Sequence, residues 1–256
     1  MSLVISPKTT QKVIKAFTEV FDLRKIPQLE GKFWHGNFND YLYEGLDGLT
    51  RVLFTGYSGA VVGQAILEYA AKYRNDDSRA EIYFVGSVYA FRDSLLEPGD
   101  LVFARDTYSP DSFEQSIYKN AKAKGIQDAT LPDQNLLKRV LEIAKKTNIE
   151  LKPTKVYCCI TPGYFPNFSQ PAQLMNEAMW WKLSLAKIEE NGCDSGEYES
   201  ASILATSRLL GIPTVALFDV KDKRYSNSEY KIANANQKKK ALYSILSIIK
   251  KSISDS

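Results

Sequence analysis

Histidine and cysteine are nearly missing from this chain. His35 is the only histidine among 256 residues. That excludes a histidine metal cluster and leaves a serine–histidine–aspartate triad no histidine but His35. Of the three cysteines, Cys158 and Cys159 are adjacent and Cys193 is distant, so neither a disulfide framework nor a CxxC metal site is suggested. No metal site is expected. No run of about 18 apolar residues occurs, so no membrane-spanning helix is expected. The first 20 residues mix polar and apolar positions around Lys8, Lys12 and Lys15, without the apolar core of a secretory signal. A cytoplasmic location is the simplest reading. Charge of one sign is also lacking: 33 Lys and Arg against 30 Asp and Glu leave a net +3, too little to argue for nucleic acid. Internal repeats and low-complexity linkers are absent.

What is present is ordinary for a globular chain, with 44% hydrophobic and 25% charged residues. The length suits one large α/β domain over 1–256. Val13, Ile14, Phe17, Val20 and Phe21 recur at helical spacing and predict a helix over 9–22. Residues 27–50 give no clear pattern, although 33–43 are aromatic and rich in turn formers. A strand is predicted at 51–55, a glycine turn at 56–59 and a helix over 60–73. A strand, a glycine turn and a helix N-terminus form an anion site in principle, because free N–H groups point outward. The alternative is a tight turn that needs glycine for its backbone angles. Further strands are predicted at 81–87, 101–105 and 155–160, with Pro98-Gly99-Asp100 a turn and 108–113 a loop. Helices are predicted over 135–147, 171–190 and 233–252, and the run Lys238-Lys239-Lys240 reads as a solvated face.

The most informative stretch is 191–224. Gly196-Glu197-Tyr198-Glu199 sets two carboxylates around an aromatic. Residues 200–210 then read as a helix with small residues, Ala201, Ser202, Ala205 and Ser207, that allow close packing. Gly211 and Pro213 stop it, since glycine suits a left-handed cap and proline cannot continue the ladder. Residues 214–218 form an apolar run suited to a strand buried on both faces, ending in Asp219 and Asp222. Carboxylates before a helix and after a strand converge where α/β sheets bind ligands.

This stretch resembles the signature of the nucleoside phosphorylase family, which includes purine nucleoside phosphorylase, uridine phosphorylase and the methylthioadenosine/adenosylhomocysteine nucleosidases. That family reads E-M-E-[AS]-A, a helix ending in a G-[VI]-P-like turn, and a strand ending V-S-D. Three further segments agree in order: LFTGYSGAVVGQAILE at 53–68, IYFVGSVYA at 82–90 and LEPGDLVF at 96–103. The resemblance covers about residues 50–250. Each motif alone is weak, and their joint order is fairly specific. The resemblance implies a single α/β domain, with a mixed, twisted, barrel-like central sheet flanked by helices. It also implies cleavage of the N-glycosidic bond of a nucleoside, no cofactor, phosphate as a possible co-substrate, and a homo-oligomer. The aromatic 33–43 segment is the candidate interface.

The resemblance assigns roles residue by residue. Glu199 matches the glutamate that bonds the ribose hydroxyls, Glu197 the one before it, and Tyr198 the methionine that packs under the sugar. Asp222 matches the aspartate that protonates a purine at N7, which requires a carboxyl pKa raised by burial. Tyr164 and Phe165 match an aromatic loop that stacks on the base. Gly56, Ser87 and Arg92 are candidates for the phosphate or nucleophile site, and an N-terminal histidine such as His35 reaches the ribose 5′ end in some members. Glu199, Ser87, Gly56 and Tyr164 or Phe165 are expected to line one pocket. Read without the resemblance, Glu197 or Glu199 is a carboxylate at a helix N-terminus and Asp222 a turn residue.

The departures weigh on the reaction. Where hexameric phosphorylases carry a phosphate-binding arginine, this chain has Phe84. The G-D-P-x-R phosphate loop is absent, Val88-Tyr89 replace a small residue and a glycine, and Tyr198 is larger than methionine. The pyrimidine-type Q-x-R pattern is missing as well, so the aspartate argues for a purine-like base. Three functions stay open: a phosphorylase, a nucleosidase in which water replaces phosphate, and a non-catalytic nucleoside-binding member.

Overall fold

The structure is a computed structural model that describes residues 2–7, 10–25, 41–55, 62, 63, 66, 80–109, 112–126, 129–158, 187–224 and 230–255. The expected anion turn with Gly56, the aromatic loop with Tyr164 and Phe165, His35 and most of the segments 33–43, 60–73 and 171–190 lie outside these.

Ten strands form one mixed sheet. They are β1 (Ser2–Ser6), β2 (Leu23–Lys25), β3 (Tyr41–Gly45), β4 (Thr50–Phe54), β5 (Glu81–Ala90), β6 (Leu101–Tyr108), β7 (Lys152–Cys158), β8 (Ser195–Glu197), β9 (Thr214–Arg224) and β10 (Tyr230–Ile232). The order across the sheet is β10-β9-β6-β7-β8-β5-β1-β4-β3-β2, with an extra pairing of β9 to β5. That pairing closes β5, β9, β6, β7 and β8 into a ring, the barrel-like sheet that the resemblance implies. Along one side, β5 pairs first with β1 and then, at Tyr89 and Ala90, with β8. Its other side pairs with β9 in parallel from Ile82 to Ala90.

Alternation along the strands sorts the core into two layers, as a side-chain period of two requires. Val4, Tyr83, Val85, Val215 and Leu217 face one layer. Leu3, Ile5, Ile82, Phe84, Ala216 and Phe218 face the other. The first layer is covered by three helices, α1 (Gln11–Phe21), α3 (Gln134–Lys146) and α5 (Ala235–Ser254). The second receives Ala201 and Ile203 of α4 (Ser200–Leu209). Another helix, α2 (Ser112–Ala123), packs on α4.

Caps fix the helix ends. Asp133 accepts the Leu136 amide at 2.9 Å at the start of α3, and Asn234 and Gln237 form a reciprocal capping box on α5. At the end of α4, Gly211 takes φ +68°, the Ile212 amide bonds the Ser207 carbonyl at 2.9 Å, and the Gly211 amide bonds the Arg208 carbonyl at 3.1 Å. This is the left-handed stop expected at Gly211.

Several boundaries differ from expectation. β9 does not end at Phe218 but runs six residues further to Arg224, because β10 and β5 supply pairing partners on both its sides. Asp222 is therefore a strand residue, not one that follows a strand or sits in a turn. β5 likewise continues past Ser87 to Ala90, and β6 past Arg105 to Tyr108, which removes the first residue of the expected loop. The strands β1, β2, β3, β8 and β10 and the helix α2 are not among the elements that the sequence predicts.

Candidate active site

The carboxyl end of β5 gathers the chemistry. Tyr89 stands opposite Gly196 of β8 on one side and opposite Asp222 of β9 on the other. With strands about 5 Å apart, Gly196 and Asp222 are about 10 Å from each other. Glu197 and Glu199 follow Gly196 within three residues. Ser87 lies two residues before Tyr89 and directly opposite Asp219.

A β-bulge aims Asp222. Val88 pairs with Val220, but Tyr89 pairs with Asp222, so Lys221 is an extra residue in β9. Without it, strict alternation from Asp219 would put Lys221 on Asp219's face and turn Asp222 away. The bulge restores a carboxylate to the face that also carries Ser87 and Tyr89, a common use of bulges beside functional sites. Lys221 is left exposed, with its ammonium 5.2 Å from the centre of the Tyr89 ring.

Asp222 is 1% exposed, and its Oδ2 is buried with no hydrogen-bond partner. Burial pushes its carboxyl pKa up, while a hydrogen bond from Tyr230 and the charges of Lys221 and Lys238 pull the other way. Lys223 does not share in this. Its buried ammonium donates to the Ser94 carbonyl at 2.6 Å and to Glu97 at 3.0 Å. Beside Asp222, the Ser87 hydroxyl donates to Asp219 Oδ1.

The two glutamates are held differently. Glu197 is 2% exposed, and four donors converge on its carboxylate. They are the Glu199 amide at 2.7 Å, the Ser200 amide at 2.9 Å, the Ser200 hydroxyl at 2.7 Å and the Cys158 thiol at 2.8 Å. This is an anion satisfying the free N–H groups of α4, the arrangement that reading the residues without the resemblance had allowed. Burial and then the Glu197 charge push the Cys158 thiol pKa well up, so it stays a protonated donor. Glu199 is buried at the N-cap of α4, with its own amide fixed by Glu197. Tyr198 is half-buried against Tyr157, Ile188 and Cys193.

Phe84, at the position of the phosphate arginine, is fully buried and meets Phe218 edge to face at 5.7 Å. Gly86 keeps room for that pair, because a Cβ there would come within 3.0 Å of the Phe218 ring. Arg92 is bonded to its neighbour Asp93 at 2.9 and 3.0 Å on an exposed turn. The structure thus brings Ser87, Glu197, Tyr198, Glu199 and Asp222 to one end of the sheet and commits Arg92 to a surface pair. Sequence reasoning missed Tyr230 and Lys238 as neighbours of Asp222. No local signal marks Tyr230, and Lys238 belongs to a run that reads as solvated. Among the described residues no cluster of three or more metal-ligating side chains occurs, and no helix is long and apolar enough to cross a membrane.

A mixed sheet that closes through β5 and β9, with buried carboxylates at one end, defines an α/β protein whose carboxylates lie where such sheets bind ligands. The chain belongs to the phosphorylase superfamily, whose sequence model matches residues 47–250. Three solved structures share its fold. A 5′-methylthioadenosine/S-adenosyl homocysteine nucleosidase from Campylobacter jejuni is 20% identical, with 98% of each chain covered and a TM-score of 0.62. A purine nucleoside phosphorylase from Toxoplasma gondii, in complex with immucillin-H, is 12% identical, with 100% of this chain and 90% of that one covered and a TM-score of 0.65. A futalosine hydrolase mutant from Helicobacter pylori is 13% identical, with 99% and 98% covered and a TM-score of 0.64. A search of curated protein sequences gave no significant match.

Proposed function

We propose that the protein is an enzyme that cleaves the N-glycosidic bond of a purine-type nucleoside, with Asp222 as general acid, Glu199 holding the ribose and water as the nucleophile. The observation that carries this reading is the Asp222 carboxyl: buried, with Oδ2 unpartnered and its pKa pushed up. Such a group keeps its proton to higher pH than an ordinary carboxyl and can give it to a leaving base. As the C1′–N9 bond breaks, its electron pair passes to the base, N7 takes the Asp222 proton, and water captures the cationic sugar and releases a proton to solvent, from which Asp222 is reprotonated. Glu197 acts through Glu199 by fixing that residue's amide and the start of α4. Ser87, whose proton is committed to Asp219, presents lone pairs to the nucleophile. Tyr164 and Phe165 are the candidates for stacking on the base, and Gly56 for contact with the nucleophile or the sugar.

Two observations favour water over phosphate. Phe84 puts a core-buried apolar ring at the position where hexameric phosphorylases have a cation, and Arg92 is bonded to Asp93. The family relatives named above also support glycosidic cleavage in general. A homo-oligomer is part of the proposal, and light scattering at micromolar concentration should report a mass above that of one chain. The test of activity is base release from a nucleoside panel with and without phosphate. The expected result is release of a purine at a rate independent of phosphate. A strict phosphate requirement would make the protein a phosphorylase. No release under either condition would leave nucleoside binding without catalysis.

A further inference from the structure

Asp222 has more company than its place in β9 suggests. Tyr230 starts β10, and Ile232 of that strand pairs with Asp222 in an antiparallel ladder. Tyr230 is thus the diagonal neighbour of Asp222 on one face, a separation that a tyrosine spans. Its hydroxyl hydrogen-bonds the Asp222 carboxyl. Oδ2 of that carboxyl stays buried and bare. A native fold rarely leaves a buried polar atom unsatisfied without a use for it.

We propose that Tyr230 is the positioning residue of the acid: its hydroxyl clamps the Asp222 carboxyl so that the bare Oδ2, and not the bonded oxygen, carries the proton to be donated. This rests on the reading of Asp222 as proton donor. In the protonated acid the carbonyl oxygen accepts from tyrosine, which localises the acidic proton on the opposite oxygen. After transfer the same bond stabilises the carboxylate, since a hydrogen bond to the charged form makes the acid stronger. Tyr230 therefore offsets part of the burial that would otherwise leave Asp222 too weak an acid to release its proton.

The other groups facing this carboxyl set the background. Lys238 reaches it from α5, and Lys221 from its own strand, both favouring the ionised form. Asp219 opposes them from β9, with Ser87 of β5 hydrogen-bonded to it. Tyr89 of β5 lies close enough to Tyr230 to act on its titration. None of these replaces a directed donor on the carboxyl.

The test is Tyr230→Phe, which removes the hydroxyl and keeps the ring. Tyr230 is 42% exposed, so the variant loses no buried packing. The infrared absorption of the protonated carboxyl, isolated as the difference from Asp222→Asn, is followed against pH in each background without substrate. The Asp222 titration should move to higher pH in Tyr230→Phe. The high-pH limb of kcat for the released purine should move the same way, and the plateau should fall about tenfold, the loss of one aligned hydrogen bond. An unmoved carboxyl titration would overturn the clamp whatever the activity. A moved titration in a protein that turns over no nucleoside would keep the clamp as a contact but refute both the proton-donor reading and the positioning role.

Discussion

Glu197 and Glu199 stand two residues apart and occupy different settings. Glu197 is saturated by two amides, a hydroxyl and a thiol, so its removal leaves buried donors unpaired. Glu197→Ala should cost about 1–3 kcal/mol in urea unfolding, the range for stranding buried polar groups. The sequence marked both glutamates but not their division of labour, which depends on the three-residue strand β8 placing Glu197 against Cys158. Asp222 makes the opposite trade. Its folded pKa is raised, so between the ordinary carboxylate pKa and that raised value the folded state binds more protons than the unfolded one. Stability from this residue accordingly falls as pH rises through that window. Asp222→Asn should raise Tm relative to wild type at neutral pH, and the difference should shrink at acid pH, where the aspartate is protonated in both states. A Tm difference that grows toward acid pH would contradict the sign.

At the scale of elements, the sequence was clearest where one signal dominated. Small residues followed by Gly211 and Pro213 specified α4 to within a residue, and the structure ends it in a left-handed glycine. Gly211→Ala should destabilise the protein by about 1 kcal/mol, the cost of a Cβ in that conformation. The apolar run 214–218 predicts a strand buried on both faces, and Val215 and Leu217 do face one core while Ala216 and Phe218 face the other. The polar remainder of β9 was not legible. Asp219, Lys221 and Asp222 carry no β signal of their own, and only pairing with β5 and β10 holds them extended. The bulge that turns Asp222 inward is invisible for the same reason, because one inserted residue looks like any other until its partner strand is placed. β1 is five residues long, and its short run Leu3-Val4-Ile5, closed by Ser6 and Pro7, is a strand signal that a reading of 1–26 as one helix passes over.

The whole molecule was legible through order more than through any one motif. Four weak segments in the family's sequence implied a mixed sheet, and the ring of β5, β9, β6, β7 and β8 is that sheet closed. What order cannot supply is which groups meet across the ring, and Tyr230 is the example. Asp222 as the proton donor to a purine leaving group is the central claim. The most direct measurement is purine release by wild type and Asp222→Asn, side by side on the same nucleoside, with binding measured in parallel. The expected result is release by the wild type, a fall of about 10²-fold or more in the variant, and little change in affinity. Equal rates in the two proteins, or no release by the wild type from any nucleoside, would contradict it.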